Sequence, residues 1–175
     1  MLDITKQIIE FYLKNKIAPK VEDLKISDNS LSEKKWMIFV TLYKNWEIFW
    51  SSWNIIEIEK TFLEELIWNT IEALKDKRFS EKNASDLEKI KIRIDIIKDR
   101  VVLDEKAFKE LSPLKKGVIV IKKDYNKLAV ILPNISMNLI SSNDFLPVLS
   151  SKLWEDFVFD NYIVYSLDTE VLTDF

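Results

Sequence analysis

The chain has 175 residues, of which 47% are hydrophobic and 31% are charged, and this balance is typical of a globular domain rather than a disordered one. It contains no cysteine and no histidine, which excludes disulfides, thiolate nucleophiles and cysteine-based metal centres, and leaves acid–base chemistry to carboxylates, lysine or tyrosine. The net charge of −3 disfavours a nucleic-acid partner, and the single glycine, Gly117, excludes a glycine-rich phosphate loop.

Hydrophobic periodicity divides the chain into helices and strands. Apolar residues three and four apart predict helices, and runs rich in β-branched and aromatic residues predict strands. In chain order the predicted elements are a helix over 4–14, a loop over 15–32, strands over 36–43 and 46–50, a helix over 59–76, a strand over 90–96, a short helix over 104–111, strands over 117–121 and 128–132, a helix over 145–154 and a strand over 162–172. This order predicts an α+β fold with a mixed, mainly antiparallel sheet flanked by helices.

The strand patterns also predict how the sheet is placed. Isoleucines alternate with Lys91, Arg93 and Asp95, and this period of two predicts an antiparallel strand with one face in water. The strands over 117–121 and 128–132 are apolar without clear alternation, which predicts that both are central.

Polar residues at the helix starts predict the N-caps. The candidates are Asp3, Thr61, Asp104, and Asn143 with Asp144. Glu64 follows Thr61 by three residues, as in a capping box. We expect a single domain over 1–175, with a small lobe formed either by about 98–125 or by the loop region 15–35.

No apolar run approaches the roughly 20 residues that a membrane-spanning helix requires, so no membrane partner is expected. The N-terminus lacks the basic region and uninterrupted apolar core of a signal peptide, which favours a cytoplasmic location. Glu57, Glu59, Glu64 and Glu65 have the oxygen ligands that hard cations prefer, but a solvated helix face accounts for most of them. No metal and no cofactor is predicted.

Four stretches of the sequence occur together in the order and spacing of a known family. They are Phe39-Val-Thr-Leu42, Asp76-Lys-Arg-Phe79 followed by Asp86-Leu87, the hairpin from Gly117 to Leu132-Pro133, and Phe145-Leu146 with Lys152 and the closing strand over 162–172. This set resembles the AMMECR-type domain, the A component of the AmmeMemoRadiSam system. The resemblance implies that family's fold, a cytoplasmic location, and a link to a Memo-like protein or a radical-SAM component.

The chain departs from this family at its signature. The family hexapeptide Leu-Arg-Gly-Cys-Ile-Gly is expected on the second strand of the first hairpin, where this chain has Ile48-Phe-Trp-Ser-Ser-Trp53. Glycine at such positions lets a ligand or another backbone approach closely, whereas indole rings would fill the space. The loss of the arginine, the cysteine and both glycines favours a divergent, non-catalytic member.

The candidate ligand-binding residues are Trp50, Ser51, Trp53, Asp76 and Arg78. The two indoles would wall a recess around Ser51, and Arg78 would present a guanidinium fork to an anionic ligand. Alternatively, the indoles pack in a core, and Asp76 pairs with Arg78 at the end of the preceding helix. Ser51 stands where the family has cysteine, but a serine nucleophile would need a lysine or carboxylate base here, so no catalytic residue is predicted.

The charged residues are unevenly distributed. Five lysines, Lys115, Lys116, Lys122, Lys123 and Lys127, cluster around the second hairpin, and no basic residue follows Lys152. Six acidic residues do follow it: Glu155, Asp156, Asp160, Asp168, Glu170 and Asp174. Both a solvated surface and a basic patch for an anionic partner fit this pattern.

These observations favour a non-catalytic interaction or scaffold module over an enzyme. The contact surface would be the tryptophan-rich first hairpin or the lysine-rich second hairpin. The alternative is a small-molecule-binding protein or an enzyme that uses a cleft beside Trp50, Ser51 and Arg78. The spacing of Trp36, Trp46 and Trp50 fits a hydrophobic core and a dimer interface equally well.

Overall fold

The computed structural model describes residues 1–26, 37–44, 47–53, 59–75 and 89–175, with the backbone alone at 44 and 47–53. The helices in these ranges are α1 (Leu2–Asn15), α2 (Phe62–Leu74), α3 (Glu105–Lys109) and α4 (Phe145–Leu153). The strands are β1 (Ile38–Lys44), β2 (Glu47–Trp53), β3 (Ile90–Val102), β4 (Gly117–Lys122), β5 (Leu128–Ile131) and β6 (Tyr162–Thr173). The predicted elements and their order are therefore confirmed. No helix in the described part of the chain has both the length and the apolar character needed to cross a membrane.

The chain forms two compact units. The first comprises residues 1–96 with 171–175, and the second comprises residues 97–170. Strands β3 and β6 are long enough to contribute residues to both units. The single domain with a small lobe, proposed from the sequence, stays a prediction.

In the first unit, β1 pairs with β2 on one side and with β3 on the other, both antiparallel. Ile38, Val40 and Leu42 of β1 point to the same face as the even-numbered isoleucines of β3, because cross-strand partners share a face. Helix α2 packs against β1, β2 and α1. The fully buried side chains of this core include Ile8, Ile9, Ile38, Leu42, Phe62, Leu63, Leu66, Leu74, Ile92, Ile94 and Ile96.

In the second unit, β4 lies between β5 and β6, and both pairs are antiparallel. The end of β3 lies next to β6, where the Leu103 N–H donates to the Val164 carbonyl oxygen at 2.8 Å. The core of this unit includes Phe108, Val118, Val120, Ala129, Ile131, Phe145, Leu149, Leu153, Tyr162 and Val164. Four aromatic rings, those of Phe108, Phe145, Phe157 and Phe159, pack around one another in it.

The prediction that both strands of the second hairpin are central is right for β4 and wrong for β5. Strand β5 is the last strand of the sheet, and β4 is its only strand neighbour among the described residues. Its residues 129–131 are nevertheless buried, because α4 packs against it. Gly117 starts β4, where an added Cβ would lie 2.5 Å from the Ile131 carbonyl oxygen, so this close approach requires glycine.

Two of the predicted caps are confirmed. The Thr61 hydroxyl accepts from the Glu64 N–H at 3.2 Å, and the Glu64 carboxylate accepts from the Thr61 N–H at 3.0 Å, which completes the capping box. Asp104 accepts from the Ala107 N–H at 2.7 Å and caps α3. Both interactions satisfy backbone donors that a helix start leaves unpaired.

The other two cap predictions need correction. Helix α1 begins at Leu2, so Asp3 lies within its first turn, where a carboxylate still faces the positive end of the helix dipole. Asp144 occupies the N-cap position of α4, as predicted, but its side chain makes no capping hydrogen bond to that helix. Instead its carboxylate accepts from the N–H groups of Ile140 and Ser141, because it closes the 3₁₀ turn Ser142–Asp144 that comes before the helix.

Candidate functional site

The predicted ligand-binding residues fall partly within the described chain. Trp50, Ser51 and Trp53 lie in β2, where Ser51 is the register partner of Thr41 in β1. Asp76 and Arg78 lie outside the described residues. No distance between these two groups is therefore defined, and their common site stays a prediction.

A buried ion pair lies one strand away from Thr41. Thr41 faces Arg93 of β3 in the antiparallel register, and Arg93 lies two residues before Asp95 on the same face. The Arg93 Nε and Nη2 atoms each donate to a different carboxylate oxygen of Asp95 at 2.7 Å. The Asp95 side chain is fully buried and that of Arg93 is 6% exposed, so this fork-like contact is shielded from water.

Tyr43 extends the same polar cluster. Its hydroxyl accepts a hydrogen bond from Arg93, and its ring meets the Phe175 ring edge-on with centroids 5.2 Å apart. Burial raises the pKa of the Tyr43 hydroxyl above its usual value. Burial also raises the pKa of the Asp95 carboxyl, although the hydrogen bonds and charge of Arg93 oppose this shift.

These observations overturn the prediction that the polar face of β3 lies in water. The sequence alternation predicts one buried and one solvated face, yet Arg93 and Asp95 are both buried because they neutralise each other. Opposite charges at positions i and i+2 of a strand were the signal that could have indicated this pair. Thr41 completes the cluster: its hydroxyl is buried and has no hydrogen-bond partner among the described residues.

A groove of about 440 Å³ lies elsewhere in the first unit, between the segment that follows α1 and the outer face of α2. Its apolar surface is formed by buried or half-buried Pro19, Val21, Ile67 and Ile71. The Trp68 side chain also lines it and remains 43% exposed. Ligand sites usually have volumes of about 300–1,000 Å³ and largely apolar linings, so this groove has the size and composition of a binding site.

Charged side chains surround the apolar surface of this groove. They are Lys20, Glu22, Glu59, Glu64 and Lys75. Lys75 is bound to Glu72 at 2.7 Å, and its Nζ atom lies 5.8 Å from the centre of the Trp68 ring. None of the three lining carboxylates forms an ion pair with a residue in the described part of the chain.

Hydrogen bonds hold both walls of the groove. On one side, the Gln7 side chain accepts from the Lys25 N–H at 2.8 Å and donates to the Lys25 carbonyl oxygen, which ties the segment after α1 back to that helix. On the other side, the capping box of Thr61 fixes the start of α2. The buried Glu65 carboxylate accepts from the Glu59 N–H at 3.0 Å and from the Asn69 side chain, so it does not lie on the solvated helix face expected from the sequence.

The lysine-rich hairpin is partly neutralised by carboxylates from the acidic C-terminal part of the chain. Lys122 and Lys127 both bind Glu155, and the Tyr162 hydroxyl donates to the same carboxylate. These hydrogen bonds lower the pKa of Glu155 to about 2, while burial and the contact with Glu155 raise the pKa of Tyr162 to about 12. Lys116 pairs with Asp168 at 2.9 Å in the same way. This pairing weakens the interpretation of the hairpin as a basic patch.

Comparisons with known proteins agree with this architecture. The AMMECR1 family model matches residues 2–156. The crystal structure of the uncharacterised protein PH0010 from Pyrococcus horikoshii is similar to this chain with a TM-score of 0.82 and 16% identity, over 98% of this chain and 88% of that chain. No curated protein matches the sequence.

At this level of identity the structural likeness shows the fold, and it confirms the predicted α+β class. The match to the family model extends over most of the sequence and includes the first three stretches on which the resemblance rests, together with Phe145, Leu146 and Lys152 of the fourth. The chain belongs to the AMMECR1 family.

Proposed function

We propose that the chain is a non-catalytic binding module and that the groove beside Trp68 is its contact site for a segment of a partner protein. The observation that carries this proposal is the groove itself, with its apolar floor, its half-exposed indole and its hydrogen-bonded walls. A preformed groove loses less conformational entropy on binding than a surface that must first fold around its partner. Exposed tryptophan is also the residue type most often found at the energetic centre of protein interfaces.

The chemistry of the lining supports binding rather than catalysis. The described residues that line the groove are alanine, proline, valine, isoleucine, tryptophan, lysine and glutamate, so they offer neither a hydroxyl nor a thiol nucleophile. The chain as a whole has no histidine or cysteine, and the family signature is replaced on β2. A scaffold function requires neither a nucleophile nor histidine, cysteine or the family signature.

A second candidate is a small-molecule site at the first hairpin, and it is favoured by the Thr41 hydroxyl, which has no hydrogen-bond partner among the side chains that the structure describes. Thr41 is fully buried, and its register partner is Ser51, where the family signature has its cysteine. A buried hydroxyl without a partner costs stability unless a ligand or water completes it. Turnover or binding of a metabolite that is lost on Arg78→Ala but kept in Trp68→Ala would favour this candidate over the groove.

We further propose, from the family membership, that the protein works in the cytoplasm. Its partner there would be a Memo-like protein or a component with radical-SAM chemistry, without a role for a membrane or nucleic acid. The net charge of −3 supports the exclusion of nucleic acid.

Selection from a random peptide library displayed on phage tests the groove directly. We expect enriched sequences that bind the wild-type chain, bind Trp154→Ala equally well, and fail to bind Trp68→Ala. Trp154 is a suitable control because it is 91% exposed and lies in the second unit, so both substitutions remove a solvent-accessible indole. Enriched peptides that bind Trp68→Ala as well as they bind the wild-type chain would overturn the proposal.

A further inference from the structure

We infer that the groove beside Trp68 recognises an extended peptide segment in which lysine or arginine alternates with aliphatic residues. This inference rests on the proposed function and adds the chemical class of the partner. Three properties of the groove carry it: its length, the balance of its charges, and the surface of its indole.

The length of the groove fits an extended chain better than a compact ligand. Its α2 side is formed by residues at helical spacing, Glu64, Ile67, Trp68, Ile71 and Lys75. Lys75 follows Glu64 by eleven positions, and at 1.5 Å per position this distance is about 16 Å. An extended peptide rises about 3.3 Å per residue, so roughly five residues would follow this face.

The charges around the groove favour a cationic partner. Glu22, Glu59 and Glu64 contribute three carboxylates, none of which is paired with a lysine or arginine of the described chain. Of the two lysines in the lining, Lys75 is already held by Glu72. The charge left for a partner is therefore net negative, and a basic segment complements it while an acidic one is repelled.

The indole supports the same assignment. The ammonium group of Lys75 lies 5.8 Å from the centre of the Trp68 ring, within the distance at which a cation is attracted to an aromatic face. The Trp68 side chain is 43% exposed, so part of its surface also remains open to a partner. A partner lysine or arginine beside the groove can use the ring in the same way, while its aliphatic neighbours cover the surface formed by Pro19, Val21 and Ile71.

Fluorescence anisotropy with a labelled probe tests this assignment. The probe is the peptide Leu-Lys-Leu-Arg-Leu with blocked ends, and the charge-reversed control is Leu-Glu-Leu-Glu-Leu. We expect the basic probe to bind and the acidic probe to bind at least about ten-fold more weakly, since like charges at an interface disfavour association. Binding of the basic probe is also expected to weaken with added salt, because these charges lie at the surface.

Two variants, Glu22→Gln with Glu59→Gln and Trp68→Ala, separate the contribution of the carboxylates to binding from that of the indole. Glu22→Gln combined with Glu59→Gln should weaken the basic probe by roughly 1.5- to 5-fold for each carboxylate, as for exposed ion pairs. Neither side chain takes part in the capping box, so the helix start is preserved. The matched control is Glu10→Gln with Glu110→Gln, which makes the same change in net charge at exposed positions outside the groove.

The outcomes distinguish the inference from the proposed function. Weaker binding in the groove variant but not in its matched control supports the basic-peptide assignment. If both probes bind equally, or if the groove variant binds like wild type while Trp68→Ala loses affinity, the groove binds peptides but the assigned chemistry is wrong. If the basic probe does not bind at all, the assignment is also overturned. If the probe binds Trp68→Ala as tightly as wild type, the proposed function itself fails.

Discussion

The buried pair of Arg93 and Asp95 makes a sharp prediction about stability. Asp95→Ala would leave a guanidinium group that is 6% exposed without the carboxylate that accepts two of its hydrogen bonds. Removing one partner of such a buried pair typically costs about 3–5 kcal/mol, because the remaining charge is neither hydrated nor neutralised. We expect a loss of this size in the free energy of unfolding.

Replacing both partners should have a very different effect. Taking two charges out of water costs several kcal/mol for each ion, and well-packed apolar residues of similar volume avoid that cost. The double variant Arg93→Met with Asp95→Leu should therefore be nearly neutral or stabilising, by up to about 4 kcal/mol. The difference in the free energy of unfolding between the single and the double variant therefore tests this interpretation of the pair.

Urea denaturation followed by circular dichroism measures both effects. The control is Glu170→Ala, which removes the partner of Lys98 from a pair whose side chains are 37% and 46% exposed. Exposed pairs contribute about 0–1 kcal/mol, so the control should change stability little. A loss below about 1 kcal/mol in Asp95→Ala, or an equal loss in the single and double variants, would refute this reasoning.

Three further predictions concern other parts of the fold. Gly117→Ala should destabilise the second unit by about 1–3 kcal/mol in urea, because the new Cβ would lie 2.5 Å from the Ile131 carbonyl oxygen, and an unchanged midpoint would argue against this contact. Thr61→Ala should cost about 0.5–2 kcal/mol by removing the cap of α2, whereas Thr61→Ser should retain most of the stability. The Glu155 carboxyl has a pKa of about 2 against an ordinary value of 4.5, so its ionised form stabilises the fold above pH 4.5, and this contribution disappears as the pH falls through about 2. The difference in melting temperature between wild type and Glu155→Gln should shrink over that range, and a constant difference would contradict the assignment.

Much of the fold could be predicted because the helices and strands follow from local hydrophobic periodicity. The stripe of Leu63, Leu66, Ile67 and Leu74 on α2 and the alternating isoleucines of β3 are short-range patterns, and both elements formed where they were expected. The capping box of Thr61 likewise spans three residues and is readable without tertiary information. The order of the elements follows from the same local patterns, and the structure confirms it.

Features that depend on contacts between distant segments could not be predicted in this way. Lys122 and Glu155 lie 33 residues apart, so their pairing could not be inferred from two separate charge runs. The burial of Arg93 depends on its pairing with Asp95, whereas alternation alone indicated a solvated face. The groove is formed where the segment after α1 meets α2, and no local pattern predicts a meeting of residues that far apart.

The tryptophan indole signals in an NMR titration test the central claim most directly. The Trp68 indole N–H is identified by its absence in Trp68→Ala, and the Trp154 signal is identified in the same way. On addition of the basic Leu-Lys-Leu-Arg-Leu probe, we expect the Trp68 signal to shift saturably while that of Trp154 stays in place. A Trp68 signal that does not move while another tryptophan signal shifts saturably would contradict the assignment of the groove as the binding site.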